Sequence, residues 1–498
     1  MTPTPSETAA AIDLGSNSFH MVVAEVSDGR LKVIDKIREM VRLAGGLDEK
    51  NRLNEEVTLR AVECLRRFGQ RLRAVPRTSV RAVGTNTVRK ARNSKSFIDL
   101  AEEALGFPID IISGHEEARL IYLGVAHSLE DDSKRRLVVD IGGGSTEVIL
   151  GRTFEPQEME SLHMGCVGTS LKYFPAGAIT ADGMRKAEIA AMQELEAVST
   201  VYRELGWETA IGASGTILAI RDAIHEAGWC KDGISAAGLK KLMKAVVNAG
   251  HIDKLDVKGL TAERAPVFPG GLAILSAVFE AMGIEQMSVA NGALREGLLY
   301  DLIGRIHQDD VRERTVAALA QRYRIDTAQA TRVKRKALSL FDEVAPAWGV
   351  AGDENRWLLS WAACLHEIGL SISHSQYHKH GGYLVQNLDM PGFARSDQQK
   401  LALLVRAHRR KFPVPEFQAV ADEDQVTMRR LAVLLRIAVV LHRARSNAAM
   451  PEMAVEANDN QLRLRFPEGW LDAHPLTQAD LESEAEYLKA IDFKLKCK

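Results

Sequence analysis

Hydrophobic positions in the first third of the chain fall into short apolar runs that end in glycine, not into long amphipathic stretches. Ala10-Ala11-Ile12-Asp13-Leu14 runs into Gly15-Ser16-Asn17-Ser18, and Val138-Val139-Asp140-Ile141 runs into Gly142-Gly143-Gly144-Ser145. The two phrases stand 127 positions apart, each with an Asp just ahead of its turn. Such a run reads as a buried strand, and Gly with small polar residues reads as a tight turn whose N–H groups can converge on one anion. After the first turn, residues 19–26 are strand-like, Ser27-Asp28-Gly29-Arg30 is a turn, and Leu31-Lys32-Val33-Ile34 resumes the strand. Glu147-Val148-Ile149-Leu150-Gly151-Arg152 begins the same course after the second turn. The repetition predicts an α/β fold of two duplicated lobes, each opening with a glycine hairpin, facing each other across a cleft. Gly15, Ser16, Asn17 and Ser18 on one side, and Gly142, Gly143, Gly144 and Ser145 on the other, would then grip one phosphate chain.

Two segments between the turns carry further chemistry. Val80-Arg81-Ala82-Val83 reads as a strand leading into Gly84-Thr85-Asn86-Thr87 and a helix start with Arg89, Lys90 and Arg92. This aims hydroxyls, a helix N-terminus and a guanidinium at an anion, with Thr85 and Asn86 as phosphate-binding candidates and Arg89 the cation nearest the turn. Residues 109–122 read as strand, turn and helix. Ser113 with Glu116 three residues on is a capping-box pattern, which gives Glu116 a structural role. Glu117 is not needed by the cap and is free to face the cleft. An acid in a first helical turn also complements the helix dipole, so spacing alone leaves both roles open for Glu117.

Composition is that of an ordinary soluble globular protein: 498 residues, 46% hydrophobic and 26% charged, enough for about three domains. Five scattered cysteines show no paired spacing, which argues against a disulfide framework or zinc site and fits a reducing cytoplasm. The N-terminus lacks signal-peptide character, and no run of about 18 apolar residues is expected; the longest candidate, residues 431–441, is interrupted by Arg436.

Five ordered motifs, spread over essentially the whole chain, then resemble one family. Residues 11–20, residues 112–121 (Ile-Ser-Gly-His-Glu-Glu-Ala-Arg-Leu-Ile), residues 140–147, Gly212-Ala213-Ser214-Gly215-Thr216 and residues 291–297 are similar to signatures of the exopolyphosphatase / guanosine pentaphosphate phosphohydrolase family. That resemblance implies actin-like, ribonuclease H-like ATPase lobes and Mg2+-dependent, processive hydrolysis of the terminal phosphoanhydride of inorganic polyphosphate. It implies Glu117 as catalytic base, matching a reaction that needs a positioned water and neutralised charge more than covalent chemistry. Asp140 and Glu147 would then supply hard oxygen ligands to Mg2+, and Arg89 would stabilise the transferred group. Asp13 either reaches the metal as the symmetric partner of Asp140 or braces its own hairpin. Gly215 joins the phosphate-binding candidates, while Ser214 and Thr216 are equally readable as helix caps. In the wider superfamily a glycine loop at this place contacts the adenosine of ATP.

From about residue 306 the texture changes to long amphipathic helices, beginning near Asp309. His366-Glu367, His374, His378, His380 and His408 suggest an HD-type metal phosphohydrolase domain, but no His lies between His307 and His366 and the pair is His-Glu. The expectation is an HD-like all-α domain without a working metal centre. Arg406, His408, Arg409, Arg410 and Lys411 form a basic run; Arg409 and Arg410 are assigned to the distal part of a long polyanion, which gains affinity from spaced cations. Leu462-Arg463-Leu464-Arg465-Phe466 alternates like a half-buried strand in a small α+β appendage. The expected domains are residues 7–122, 123–305, 306–445 and 446–498. The basic run, together with Gly143-Gly144 where the nucleotide branch more often has Gly-Ala, favours inorganic polyphosphate over pppGpp as substrate. A pppGpp 5′-phosphohydrolase is the alternative, and a non-enzymatic polyanion-binding module would leave Glu117 without a purpose. The family further implies a homodimer and a possible peripheral association with the inner membrane; no specific nucleic-acid partner is expected.

Overall fold

The computed structural model describes residues 7–27, 30–129, 133–306, 310–446 and 450–498. Asp28 and Gly29 of the expected turn, His307, and Asp309 at the start of the helical texture lie outside the described residues. The chain divides into two compact units, residues 1–310 and 311–498.

The first unit holds two sheets that share a five-strand topology, the second with one further edge strand. β1 (Glu7–Leu14), β2 (Phe19–Ser27), β3 (Arg30–Glu39), β4 (Val80–Gly84) and β5 (Ile109–Ile111) are arranged β3-β2-β1-β4-β5, with β1 antiparallel to β2 and parallel to β4. β6 (Arg135–Ile141), β7 (Thr146–Arg152), β8 (Glu155–Leu162), β9 (Thr209–Ala213), β10 (Ile234–Ser235) and β11 (Gln286–Val289) follow as β10-β11-β9-β6-β7-β8, with β6 antiparallel to β7 and parallel to β9. β6, β7 and β8 repeat β1, β2 and β3, so the doubled phrase marks a doubled sheet. β1 and β6 are central strands covered on both faces, which is why Ala9–Ile12 and Leu137–Val139 are continuous apolar runs rather than alternating ones.

Two helices fill the space between the sheets, Gly114–His127 and Leu294–Ile306. Their Ile121, Val125, Leu298 and Leu299 pack in one cluster with Ala11 and Val22 of the first sheet and Val138 and Ile149 of the second. The boundary expected at 122/123 falls inside the first of these helices, because its apolar stripe serves both lobes. The helices meet through glycines. A Cβ on Gly297 would overlap the Leu120 carbonyl, with the carbonyl carbon 2.7 Å away, and one on Gly124 would lie 2.8 Å from the Gly297 nitrogen. The same crossing is bound by buried charge. Asp301 pairs with Arg81, Arg119 and Arg305, and Arg119 also forks onto Glu116 at 2.7 and 2.8 Å. Glu116 serves the cap through its N–H, which donates to Ser113 Oγ, while its carboxylate is committed to Arg119 and lies 3.6 Å from Arg81.

Ala265–Met282 corrects one expectation, being long and apolar enough to cross a membrane by length and hydropathy. Most of it is the helix Phe268–Met282, whose apolar side chains pack inside the second lobe, where a helix buried all round needs no polar face.

The second unit is helical, with a closing sheet of β12 (Ala454–Asn458), β13 (Gln461–Arg465) and β14 (Lys494–Cys497). Leu462 and Leu464 of β13 are fully buried, as the alternation predicts. Arg436, which interrupts the apolar run in sequence, is fully buried in the helix Asp422–Leu441 and pairs with Glu484.

Candidate active site

Both glycine turns line one cleft of about 310 Å3, together with Asp13, Thr85, Glu117, Asp140, Glu147 and Gly215. The turns are shaped from behind. The Ser16 and Asn17 carbonyls accept from the N–H groups of Ala44 and Arg42 at 2.8 and 2.7 Å, and the Gly142 and Gly143 carbonyls accept from Cys166 and Val167 at 2.9 and 3.0 Å. With those carbonyls engaged, the N–H groups of Ser16, Asn17, Gly143 and Gly144 have no acceptor among the described residues. This is the arrangement of an anion cradle. The glycines serve close approach, not a left-handed backbone, since none of Gly15, Gly142, Gly143 or Gly144 has positive φ. A Cβ on Gly143 would lie 2.9 Å from the Ser16 Cβ, so the two turns abut.

The ladder explains the asymmetry of the two phrases. Asp13 faces His20 across β1 and β2, and Asp140 faces Glu147 across β6 and β7 at the equivalent position. One lobe thus places an imidazole where the other places a second acid. His20 Nδ1 accepts from Arg295 Nη1 at 2.6 Å, so its Nε2–H donates to Ser18 Oγ at 2.8 Å. Burial and the neighbouring Arg295 lower its pKa to about 2, which keeps the ring neutral.

Glu117 sits in the first turn of the helix Gly114–His127, whose N-cap Ser113 Oγ accepts from the Glu116 N–H at 3.1 Å. It is buried, and burial pushes its carboxyl up while Arg89, 3.4 Å away, pulls it down, with a net rise. A raised carboxyl is a stronger proton acceptor than an exposed one, which suits a general base. Burial raises Asp13 and Asp140 to about 7, with repulsion from Glu117 adding and Arg295 opposing. Glu147 is raised by burial, then by Glu117 and Asp140, and accepts from Ser161 Oγ at 2.8 Å. Four carboxyls therefore share one buried wall, and repulsion from Glu117 raises the pKa values of the other three.

Such a wall fits a hard cation. Asp13 Oδ1 is buried without a hydrogen-bond partner, and the donors present are carboxylate oxygens. Among the described residues no three His, Cys, Asp or Glu side chains form a preorganised ligand set. Mg2+ is characteristically held by one or two carboxylates, waters and the substrate's own phosphates, which is the arrangement this wall offers.

Two candidates from this unit are not on the cleft wall. Asn86 stands behind the second turn, its Oδ1 2.7 Å from where a Gly144 Cβ would be, and braces it. Arg89 donates to the Ile112 carbonyl at 2.7 Å and to Glu117, so it flanks the base instead of reaching into the cleft. Arg409 and Arg410 belong to the second unit and line a different cavity. Sequence reasoning missed the cations of the cleft, namely Lys36, Arg38, Arg264 and the role of Arg295. Arg264 lies flat against Gly215, where a Cβ would sit 2.6 Å from its Cζ. Ser214 Oγ accepts from the Ile217 N–H at 3.4 Å in the first turn of the helix Ser214–Glu226, whose N-cap is Ala213, whereas Thr216 turns to Cys166.

The chain resembles known proteins in sequence and in fold. Residues 22–306 match the Ppx/GppA phosphatase family and residues 311–485 match Ppx/GppA phosphatase, domain III. The chain is 42% identical over 480 residues to a guanosine-5′-triphosphate,3′-diphosphate pyrophosphatase of Aeromonas hydrophila, covering 96% of each chain. It is 43% identical over 477 residues to the protein of the same name from Vibrio cholerae, covering 96% of this chain and 95% of that one. Among solved structures, the Aquifex aeolicus PPX-GPPA enzyme superposes with a TM-score of 0.51 at 25% identity, over 59% of this chain and 99% of that one. An exopolyphosphatase-like protein superposes with a TM-score of 0.55 at 26% identity, over 61% of this chain and all of that one.

Proposed function

The chain belongs to the Ppx/GppA phosphatase family, and from that premise we propose that it removes the terminal 5′-phosphate of pppGpp to give ppGpp and orthophosphate. The observation that carries this reading is identity of 42–43% over nearly the full length to proteins named for that substrate. It reverses the weighting toward polyphosphate drawn from Gly143-Gly144 and the basic run. A Cβ on Gly144 would meet only side-chain atoms, Asn86 Oδ1 at 2.7 Å first, so packing at this position bears on the residue there as well as substrate.

In this mechanism the free N–H groups of Ser16, Asn17, Gly143 and Gly144 hold the terminal phosphates, and Arg295 offsets charge beside the acids. Glu117 orients a water and takes its proton as the oxygen attacks the terminal phosphorus, and the bond from that phosphorus to the bridging oxygen breaks, the oxygen leaving on the 5′-diphosphate of ppGpp; Arg89 fixes the carboxylate while burial keeps it basic. When bound, Mg2+ supplies charge neutralisation at the phosphate oxygens, with Asp140 and Glu147 as its protein ligands and Asp13 as a further candidate. Lys36, Arg38 and Arg264 form a second cationic wall, suited to a substrate with a second phosphate arm.

Terminal hydrolysis of polyphosphate is the second reading, favoured by the likeness to an exopolyphosphatase-like structure. Phosphate release from pppGpp, short polyphosphate and long polyphosphate, with and without Mg2+, separates the two. A higher kcat/KM on pppGpp is expected; a higher value on either polyphosphate would overturn the assignment.

A further inference from the structure

The helical unit contains a cavity of about 800 Å3 whose wall carries His378, Lys379, Arg406, Arg409, Arg410 and Lys411. It has one carboxylate, Glu416, and that is 3.4 Å from Arg406. Lys379, Arg409, Arg410 and Lys411 have no carboxylate partner among the described residues. Concentrated positive charge without counter-charge is unfavourable in the free protein and becomes favourable only when an anion enters.

Two further observations show that the cavity is built. Arg410 holds a left-handed backbone, φ 65°, which costs a non-glycine residue energy and persists only where its surroundings impose it. The imposing group is Arg436, fully buried, whose guanidinium donates to the carbonyls of Ala407 and Arg410 and pairs with Glu484. A buried arginine is thus committed to presenting three consecutive cations. Independently, His378 lines the cavity and is only 5% exposed, yet its Nδ1 has no hydrogen-bond partner. A buried ring nitrogen without a partner costs energy, and in its Nδ1–H tautomer it is a donor that a phosphate oxygen reaching it would satisfy. Tyr377 is covered by the Arg409 guanidinium at 4.5 Å, which fixes that cation at the rim, and Phe412 with Pro413 adds an apolar wall.

We propose that this cavity is a second, non-hydrolytic site for a small molecule carrying a diphosphate group. A single phosphate would leave most of the four unpaired cations unsatisfied, whereas a diphosphate can engage them together with His378. The volume lies in the range that encloses nucleotide-sized ligands. The diphosphate could be free or borne on a nucleoside, and the probes below distinguish these sources. The site goes beyond hydrolysis in the first unit, since its one carboxylate is already paired and offers no base.

The test is hydrogen exchange by mass spectrometry on the full chain carrying Glu117→Gln, with inorganic pyrophosphate, guanosine 5′-diphosphate or long polyphosphate added. Protection of peptides over residues 377–387 and 406–412 by pyrophosphate or the nucleotide is expected. It should weaken at least tenfold in apparent affinity in Arg409→Gln and in Lys379→Gln, while cleft peptides over residues 12–20 and 140–147 respond as before. Protection by the nucleotide alone would identify a nucleoside-borne ligand, and protection by pyrophosphate a free one. Protection confined to the cleft, or given only by long polyphosphate, would overturn the proposal. Agreement between the two single variants guards against misfolding in either.

Discussion

Gly297→Ala should cost this protein far more activity than its one added methyl suggests. The new Cβ would lie 2.7 Å from the Leu120 carbonyl carbon and 3.2 Å from the Gly124 nitrogen, and would overlap the Leu120 oxygen. Ordinary contact begins at 3.4 Å, so the helices Gly114–His127 and Leu294–Ile306 must separate by roughly 0.7 Å for the carbon alone and by more for the oxygen. Neither neighbour is a flexible side chain; both are helix backbone. The first helix carries Glu117 and the second carries Arg295, so separation moves the base relative to the cation that neutralises the acid wall. Displacement near 1 Å costs about 10²-fold in rate, and overpacking of this kind costs about 1–3 kcal/mol in stability. The control is Gly168→Ala, an exposed helical position with open space around its Cβ, where stability should rise by about 0.5–1 kcal/mol and activity should not change. Steady-state phosphate release and thermal melts of both variants provide the assay. Wild-type kcat in Gly297→Ala would refute the claim that this crossing sets the site's geometry.

Other consequences follow from particular residues. Glu117→Gln should lower kcat by about 10²–10⁴ while leaving substrate affinity largely intact, as measured by single-turnover phosphate release and equilibrium binding. Arg264→Ala should raise KM by about 10–100-fold with a small change in kcat, because a charged hydrogen-bond partner is worth about 1.5–3 kcal/mol. Glu147→Gln should raise the Mg2+ concentration needed for half-maximal activity; an unchanged Mg2+ requirement would remove it from the metal. Burial opposes ionisation of Asp301, but Arg119, Arg81 and Arg305 outweigh it and hold its carboxyl well below the ordinary range. A depressed folded pKa contributes stability that is complete above the unfolded value of about 4 and is lost as pH falls below it. Asp301→Asn should therefore be less stable at neutral pH, by about 3–5 kcal/mol, and its melting temperature should fall less steeply than that of wild type below pH 4.

Much of the site was legible because its elements are local. Asp13 with Gly15 to Ser18, and Asp140 with Gly142 to Ser145, are contiguous phrases in which strand, turn and anion-binding backbone follow one another. Glu117 stood out because Ser113 and Glu116 accounted for the cap. What stayed hidden depends on register or on contacts distant in sequence. Lys36 and Arg38 extend β3 past the point where its apolar run ends, so they read as solvent-facing charge. Arg264 sits in a stretch without periodicity, and only the fold brings it to Gly215. The equivalence of His20 and Glu147 needs the ladders of both hairpins. Arg436 looked like an interruption because its partners, Glu484 and two carbonyls near residue 408, come from other segments.

The central claim is that water, directed by Glu117, attacks the terminal 5′-phosphorus of pppGpp. Hydrolysis in ¹⁸O-labelled water followed by ³¹P NMR and mass spectrometry tests it directly. The predicted result is orthophosphate carrying one labelled oxygen and ppGpp carrying none. Label in ppGpp, loss of the 3′-diphosphate, or no turnover of pppGpp by an enzyme that hydrolyses polyphosphate would contradict it.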